Sequence, residues 1–291
     1  MKSMTSVITK SAIVLAACAS MNAFAGTSSG KAPAPAPEPE SGALFDTLGA
    51  TLEVGYDTRY YDRGLYRADN TVWTGLSINV PLTEQLSLGL GATYITTVET
   101  TGPSGGLNNG VGDIDFSELD LSASLTYDAG FAKLGLVYTH YEYFDAFSGT
   151  SFGVPVRGGE GAITGADEVG ATFSTSVGPV DLFGGYFYNF RIGGSYFDLG
   201  ARLPIEITPW LSIVPAVQTG YALDYYTSGL VAASTPSGFS HVVPSISAPI
   251  KLTKTATLTP YIAYNISLGA RHSLNAQDNE FFGGVKLGVT F

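Results

Sequence analysis

The sequence predicts an all-β fold, an antiparallel transmembrane β-barrel of about twelve strands joined in an up-and-down meander. Three observations predict it. From Leu48 onward the chain divides into segments of about ten residues in which apolar and polar side chains alternate with period two. Tight turns and long loops alternate between these segments. Only 13% of the residues are charged, whereas soluble domains carry about 25%.

Residues 1–25 have the features of a secretory signal peptide. Lys2 and Lys10 flank the start of an apolar run, and Ala23-Phe24-Ala25 forms an A-x-A site for signal peptidase. The segment Leu15-Ala16-Ala17-Cys18 offers a rival lipobox, in which Cys18 would be lipidated. The short apolar run before Cys18 favours cleavage after Ala25. Cleavage there would leave a chain without cysteine, so neither disulfides nor thiolate metal sites would contribute to it.

Residues 26–44 are interpreted as a Pro/Ala-rich periplasmic linker, and residues 45–291 as the barrel. The linker alternates Pro with small or acidic residues, so it has too little apolar surface to fold. Beyond the signal peptide the sequence has no apolar run long enough for a conventional membrane-spanning helix. The net charge of -11 argues against nucleic acid as a partner.

The alternation is clearest in the segments that begin at Gln85, Glu118 and Phe281. In the second of these, one face carries Leu119, Leu121, Ala123, Leu125 and Tyr127, and the residues between them are acidic or hydroxylated. A helix would mix the two sets, because its period is 3.6 residues. The last segment ends in Phe291. This ending resembles the signal by which barrel assembly machinery recognises outer-membrane barrels, so Phe291 is expected to act as an assembly signal.

The connections predict which end of the barrel is periplasmic. The segments are expected to begin near Leu48, Val72, Leu86, Glu118, Phe131, Val169, Val180, Tyr196, Leu211, His241, Ala256 and Phe281. The tight connections are Pro81-Leu82-Thr83-Glu84, Asp128-Ala129-Gly130, Gly178-Pro179, Thr208-Pro209 and Leu252-Thr253-Lys254. With periplasmic termini, all of these fall on the periplasmic side, as is typical of such barrels. The brief link at Gly193-Gly194 is the one exception to long outer loops.

Two further features bear on the fold. Pro215, Pro244 and Pro260 fall inside predicted strands, and each removes a backbone donor, which predicts irregular pairing among the ninth to eleventh strands. A soluble β-sandwich would tolerate similar alternation, but the signal peptide, terminal Phe, even strand count and turn asymmetry together favour a barrel. Tyrosines near strand ends are expected to form interfacial girdles, namely Tyr56, Tyr94, Tyr127, Tyr138, Tyr186, Tyr188 and Tyr221.

The first predicted hairpin contains a short motif. Thr58-Arg59-Tyr60-Tyr61-Asp62-Arg63-Gly64 is followed by Ala68-Asp69-Asn70 and a strand from Thr71. This resembles the TorF-type porins, in which S-x-Y-x-x-R-G stands between the first two strands, with Thr58 here in place of Ser. The likeness covers residues 48–80. It implies a barrel and a channel, and it supplies neither a substrate nor functional residues.

The alternation also places charged side chains on the face that would line the lumen. These candidates are Glu53, Asp57, Arg59, Glu118, Asp120, Lys133, Glu168, Asp181, Arg191, Asp198, Arg202 and Lys286. Seven acids among them face five bases, which would give a water-filled channel a mild preference for cations. Equally, the charges would pair across the lumen and stiffen the wall. Small residues at many other inward positions predict space at the barrel axis, and the loop Asp145–Gly165 is a candidate constriction.

Arg59 and Arg63 are expected near the outer end of the first strand, among several tyrosines. Two interpretations remain open for them. They would contact lipopolysaccharide phosphates or a sugar. Alternatively, and preferably, they would form a cation–aromatic rim.

These features predict an outer-membrane channel for passive diffusion of small hydrophilic solutes or ions. It would contact outer-membrane lipid and lipopolysaccharide, and need no cofactor, metal or catalysis. One alternative is a non-conducting barrel that acts through its loops as an adhesin or structural protein. Another is a lipid-modifying enzyme, which would need a Ser nucleophile with a His base. The only histidines are His140, His241 and His272, and none lies in a recognisable catalytic motif.

Overall fold

The computed structural model describes residues 49–98, 117–144, 150–151, 154–155, 165–191, 193–225, 237–269 and 279–291. The predicted signal peptide, the linker, Cys18, His272 and most of the predicted constriction loop lie outside these residues. The strands are β1 (Ala50–Asp62), β2 (Leu65–Pro81), β3 (Leu86–Thr97), β4 (Ser117–Asp128), β5 (Ala132–Phe144), β6 (Thr150–Ser151), β7 (Val154–Pro155), β8 (Gly165–Val177), β9 (Val180–Asn189), β10 (Gly194–Arg202), β11 (Ile205–Thr208), β12 (Leu211–Leu223), β13 (Gly238–Ser247), β14 (Ile250–Lys251), β15 (Ala256–Ser267) and β16 (Asn279–Thr290).

The strands close into a 12-strand antiparallel barrel. Its wall follows chain order through β1 to β5, β8 to β10, β12, β13, β15 and β16, and β1 pairs with β16 to close it. The short β11 continues the wall beside β12, and β14 does so between β12 and β15. The predicted fold class and strand count are therefore confirmed, and closure leaves no edge strand in the wall.

The outward face of every wall strand presents large apolar side chains. Examples from successive strands are Leu52, Leu76, Leu90, Leu125, Leu136, Phe173, Tyr186, Leu199, Val217, Ile246, Ile262 and Val285, all of them exposed. Of the predicted girdle tyrosines, all but Tyr188 are exposed on this face, at 37% to 44% of their surface. An apolar outer face belongs on a barrel that lipid surrounds. No helix among the described residues is both long and apolar enough to cross a membrane.

The two ends of the barrel differ. At one end, here named the turn end, β2–β3, β4–β5, β8–β9, β11–β12 and β14–β15 are joined by tight connections, as expected. At the other, the loop end, a tight β1–β2 turn departs from the expectation of long loops. It consists of Arg63 and Gly64, whose φ angles of 47° and 70° suit a type I′ hairpin turn. At the turn end the Phe291 amide donates to the Ala50 carbonyl at 2.9 Å.

The three strand prolines disturb pairing without changing the strand count. Pro215 lies beside the break between β10 and β11, where its carbonyl accepts from the Leu203 amide at 3.0 Å. The β13–β15 ladder lacks bridges at Pro244, and β13 ends just before Ala248, whose amide donates to Pro260. The predicted irregularity is thus present. It follows from the donor that each proline lacks.

Candidate functional site

The tip of the β1–β2 hairpin folds inward and lies inside the barrel. The register between these strands shifts at Tyr60 and Tyr61, and both tyrosines are only 1% exposed. Successive strand residues normally point to opposite faces, so burial of two in a row requires a β-bulge. The bulge turns residues 60–68, named here the inner hairpin, into the lumen at the loop end.

On one side the inner hairpin packs against the wall formed by β13, β15 and β16. The Tyr61 ring lies 5.0 Å from that of Phe282, between centroids, in a buried cluster with Val243 and Ala263. Its hydroxyl donates to Glu280 Oε2 at 3.2 Å. These contacts combine aromatic packing with a polar anchor at the loop end of β16.

On its other side the hairpin packs against β2 to β4. Tyr60 lies in a buried cluster with Ala68, Trp73 and Ile95, and it hydrogen-bonds with Glu118. Within the hairpin, Arg67 forms an ion pair with Asp62. Both walls adjacent to the hairpin are therefore in contact with it.

Arg63, at the tip, reaches the opposite wall. Its two terminal nitrogens donate to both carboxylate oxygens of Glu168, and one of them also donates to the Tyr225 hydroxyl. The guanidinium carbon lies 4.8 Å from the ring centroid of Phe187, 4.9 Å from that of Tyr196 and 5.1 Å from that of Tyr225. Glu168, Phe187 and Tyr196 belong to β8, β9 and β10, and Tyr225 follows the end of β12, across the barrel from β1. The hairpin therefore spans the lumen.

Glycines beside Phe187 and Tyr196 let these two rings lie flat on the wall. A Cβ atom at Gly170 would lie 2.5 Å from the Phe187 ring, and one at Gly185 would lie 2.7 Å from it. A Cβ at Gly220 would collide with Tyr196 in the same way. Rings that lie flat turn their π faces to the lumen, which is the orientation a cation needs. The inward glycines were expected to leave space at the axis, but these accommodate rings.

The filling stops partway down the barrel. Along β4, Glu118 and Asp120 are buried at the loop end, whereas Ser122, Ser124 and Thr126 are partly exposed towards the turn end. The same change occurs along β5, β8 and β16. The inward residues of the turn half, small polar ones and charged ones, are therefore partly exposed, whereas the inner hairpin crosses the loop half.

The predicted lumen candidates occupy three settings. In the turn half, Lys286 Nζ lies 2.7 Å from Glu53 Oε1, and Arg202 Nε lies 3.1 Å from Asp181 Oδ2. Both pairs join neighbouring strands and do not cross the lumen. The candidates in the loop half are Asp57, Glu118, Asp120, Glu168 and Asp198, all inside the barrel.

The remaining candidates lie at the barrel ends. Arg59 pairs with Asp69 and Glu280 at the loop end, and Lys133 Nζ is 3.8 Å from Asp128 at the turn end. Arg191 lies not along the wall but in the exposed β9–β10 turn, where its Nη1 donates to the Gly165 carbonyl at 3.0 Å. It leaves the strand because β9 ends at Asn189.

Sequence reasoning missed Arg63 and Arg67 as interior residues. It placed Arg63 on an exposed rim, whereas its side chain is only 10% exposed and meets three rings inside the barrel. The preferred cation–aromatic interpretation describes its contacts, but not their location. The consecutive pair Tyr60-Tyr61 was the available signal, because it breaks the alternation at the point where the hairpin turns inward.

The two described histidines lie on opposite faces of the wall. His140 is half-exposed on the outward face, with Nδ1 2.8 Å from Asp167 and Nε2 3.3 Å from Glu142. His241 is buried inside, where Nδ1 lies 2.9 Å from Ser240 Oγ and the ring stacks on Tyr196. His140 thus has carboxylate neighbours and His241 a serine neighbour, and the two rings lie on opposite faces of the wall.

No family model matches the chain, and no curated protein matches it in sequence. Solved structures do resemble it. The COG4313 outer membrane channel from Pseudomonas putida F1 has a TM-score of 0.54 at 15% identity, over 87% of this chain and 100% of that one. LpxR from Salmonella typhimurium has a TM-score of 0.47 at 7% identity, over 83% and 100%. The KdgM porin in complex with disordered oligogalacturonate has a TM-score of 0.45 at 8% identity, over 83% and 99%. The first similarity shows a shared barrel fold.

Proposed function

We propose that this chain is an outer-membrane channel for the passive diffusion of small hydrophilic solutes or ions, closed at its loop end by the inner hairpin. One observation carries the proposal: the inner hairpin crosses the loop half and packs between facing walls, while the inward side chains of the turn half are polar and partly exposed. A barrel sealed for structural reasons would be expected to fill its interior with wall side chains along its whole length, and not in one half alone.

The contacts at the hairpin tip favour a reversible closure. Arg63 and Glu168 are held by charge and hydrogen bonds, and not by apolar packing alone. Separating a buried ion pair is costly because each charge is left without compensation. Here the adjacent turn half admits water, which would hydrate both groups as the hairpin moves, so the closed and open states would differ by only a few kcal/mol.

Orientation and setting follow from the barrel type. The apolar outward face would contact lipid, with the turn end towards the periplasm and the loop end outside, near lipopolysaccharide. The COG4313 protein, whose barrel fold this chain shares, is described as an outer membrane channel. Its description supports the proposal by analogy of fold.

The test of this function is single-channel recording of the refolded protein in planar lipid bilayers. We expect discrete, infrequent openings separated by long closed periods, because the hairpin fills the lumen in its resting state. Correctly folded protein that inserts but never conducts, at any voltage, would contradict the proposal. That result would favour the second candidate, a non-conducting barrel with an adhesive or structural role, in which the inner hairpin would block the lumen permanently.

A mild cation preference is a further expectation. The acids Asp57, Glu118, Asp120 and Asp198 line the loop half, and the turn half adds the ion-paired Glu53 and Asp181. A carboxylate about 8 Å from the ion path contributes on the order of 0.5 kcal/mol in water. Because the carboxylate stabilises a cation and destabilises an anion by this amount, Asp198→Asn is expected to lower the cation-to-anion permeability ratio about fivefold in a KCl gradient.

The matched control for that measurement is Asp167→Asn. Asp167 lies on β8 with its side chain on the outward face, bonded to Tyr138 and His140. Its removal should leave the permeability ratio unchanged. Equal effects of the two substitutions would mean that the interior acids do not set ion preference.

A further inference from the structure

Four residues surround the Arg63 guanidinium, and this group, named here the cage, contains no residue of the hairpin. Glu168, Phe187, Tyr196 and Tyr225 all belong to the far wall or its loop end, and each contacts the guanidinium group. Glu168 is 2% exposed and Tyr196 is 1% exposed. Withdrawal of the hairpin would leave the Glu168 carboxylate beside three aromatic rings and open to the lumen.

The chemistry of this cage selects a particular kind of cation. A carboxylate with both oxygens engaged matches the planar fork of a guanidinium, which donates two parallel hydrogen bonds. Aromatic faces within about 6 Å attract guanidinium and alkylammonium groups, and less readily a small hydrated ion, which loses more hydration on binding. The glycines behind Phe187 and Tyr196 keep these faces turned towards the lumen.

We propose that this cage is a binding site for solutes with a guanidinium or alkylammonium group, and that Arg63 occupies it as a tethered competitor. The proposal rests on the channel function above and adds a class of permeant ligand. A cationic solute that enters from the water-filled half would compete with Arg63 for Glu168 and the rings. Its binding would release the tip of the inner hairpin and favour the open state.

The first experiment tests the cage without any need for conduction. Methylguanidinium chloride is titrated calorimetrically into the refolded Arg63→Ala barrel in detergent. We expect saturable binding at least about tenfold tighter than to wild type, in which the site is occupied. Adding Glu168→Gln should abolish this binding, and urea, which is planar but neutral, should not bind.

The matched control is Arg202→Ala, which also removes an arginine from an interior ion pair. Arg202 Nε pairs with Asp181 in the turn half, and no ring is stacked on it in the described part of the chain. Methylguanidinium should therefore bind this variant no better than wild type. Folded Arg63→Ala protein that binds no more tightly than Arg202→Ala would overturn the proposal.

Refolding of Arg63→Ala gives a second measure of ligand binding. If Arg63→Ala does not refold alone, recovery of heat-modifiable barrel with methylguanidinium, and not with equal NaCl or urea, would support the cage. No recovery under any of these conditions would overturn it.

A second experiment separates this inference from the channel itself. In bilayers that contain wild-type protein, millimolar methylguanidinium should raise the frequency of openings several-fold, while equal NaCl should not. If methylguanidinium binds Arg63→Ala but does not raise the opening frequency of wild type, the cage is a binding site, and the proposal that the ligand displaces Arg63 is wrong. A wild-type barrel that never conducts would contradict the proposed function, yet the calorimetric result would still decide whether the cage binds its ligand.

Discussion

Excision of the inner hairpin is expected to convert an intermittently conducting barrel into one that conducts continuously. The variant replaces residues Tyr60–Ala68 by Asn-Gly, which joins Arg59 directly to its partner Asp69 through a type I′ turn. It also carries Glu168→Gln, since a buried carboxylate that loses its ion-pair partner would cost about 3–5 kcal/mol. The excision removes Tyr60, Tyr61 and Arg63, the three side chains that cross the lumen, in one step.

The expected size of the effect follows from the contacts removed. If closure is worth about 3 kcal/mol, the time-averaged current per channel should rise about a hundredfold. The excised barrel should also lose stability, because each buried tyrosine ring contributes about 1.5–3 kcal/mol. Single-channel recording gives the current, and heat-modifiable migration with circular dichroism shows that the barrel has formed.

Arg59→Ala is the control for the excision. This residue lies at the base of the hairpin and pairs with Asp69 and Glu280, but its side chain is 29% exposed. Ion pairs this accessible contribute about 0–1 kcal/mol, so the current should change little. An excised barrel that folds, inserts and stays silent would show that the hairpin is not what closes the lumen.

Most of the wall could be predicted from sequence, because period two reports directly on a strand with one oily face. The second strand shows where that fails. It begins at Leu65 and not near Val72, and the alternation breaks just before it, where the consecutive residues Tyr60 and Tyr61 are both buried. Neither the turn at Arg63-Gly64 nor the bulge before it follows from hydrophobic pattern alone.

The candidate site was less predictable than the wall. Alternation identified Glu168 and Asp198 as inward residues, and the structure places both inside. It could not assign Arg63 to the interior, because Arg63 lies in a turn. Alternation assigns strand residues to a face, but it does not report the direction in which a turn points. The aromatic cage could not be predicted either, since Phe187 and Tyr196 come from separate strands, Tyr225 follows a third, and the three rings meet only in the folded barrel.

A charge placed on the lipid-facing surface of the wall is expected to destabilise the barrel strongly. Leu136 lies on that face of β5, between Leu134 and Tyr138, and is 65% exposed. In a lipid bilayer, Leu136→Arg is expected to destabilise the barrel by about 2–4 kcal/mol, the cost of placing a charge near the middle of the apolar band. Equilibrium unfolding in lipid vesicles, by intrinsic fluorescence against denaturant, measures this cost.

Leu82→Arg separates lipid contact from a general intolerance of arginine. Leu82 is 50% exposed and lies in the β2–β3 connection at the turn end, outside the apolar band. There the same substitution should change stability by no more than about 0.5 kcal/mol. If the outward face met water, the two leucines would be equivalent exposed positions, and both substitutions would be close to neutral. A large loss of stability from Leu136→Arg together with a negligible loss from Leu82→Arg therefore requires an apolar medium, such as lipid, around the middle of the wall.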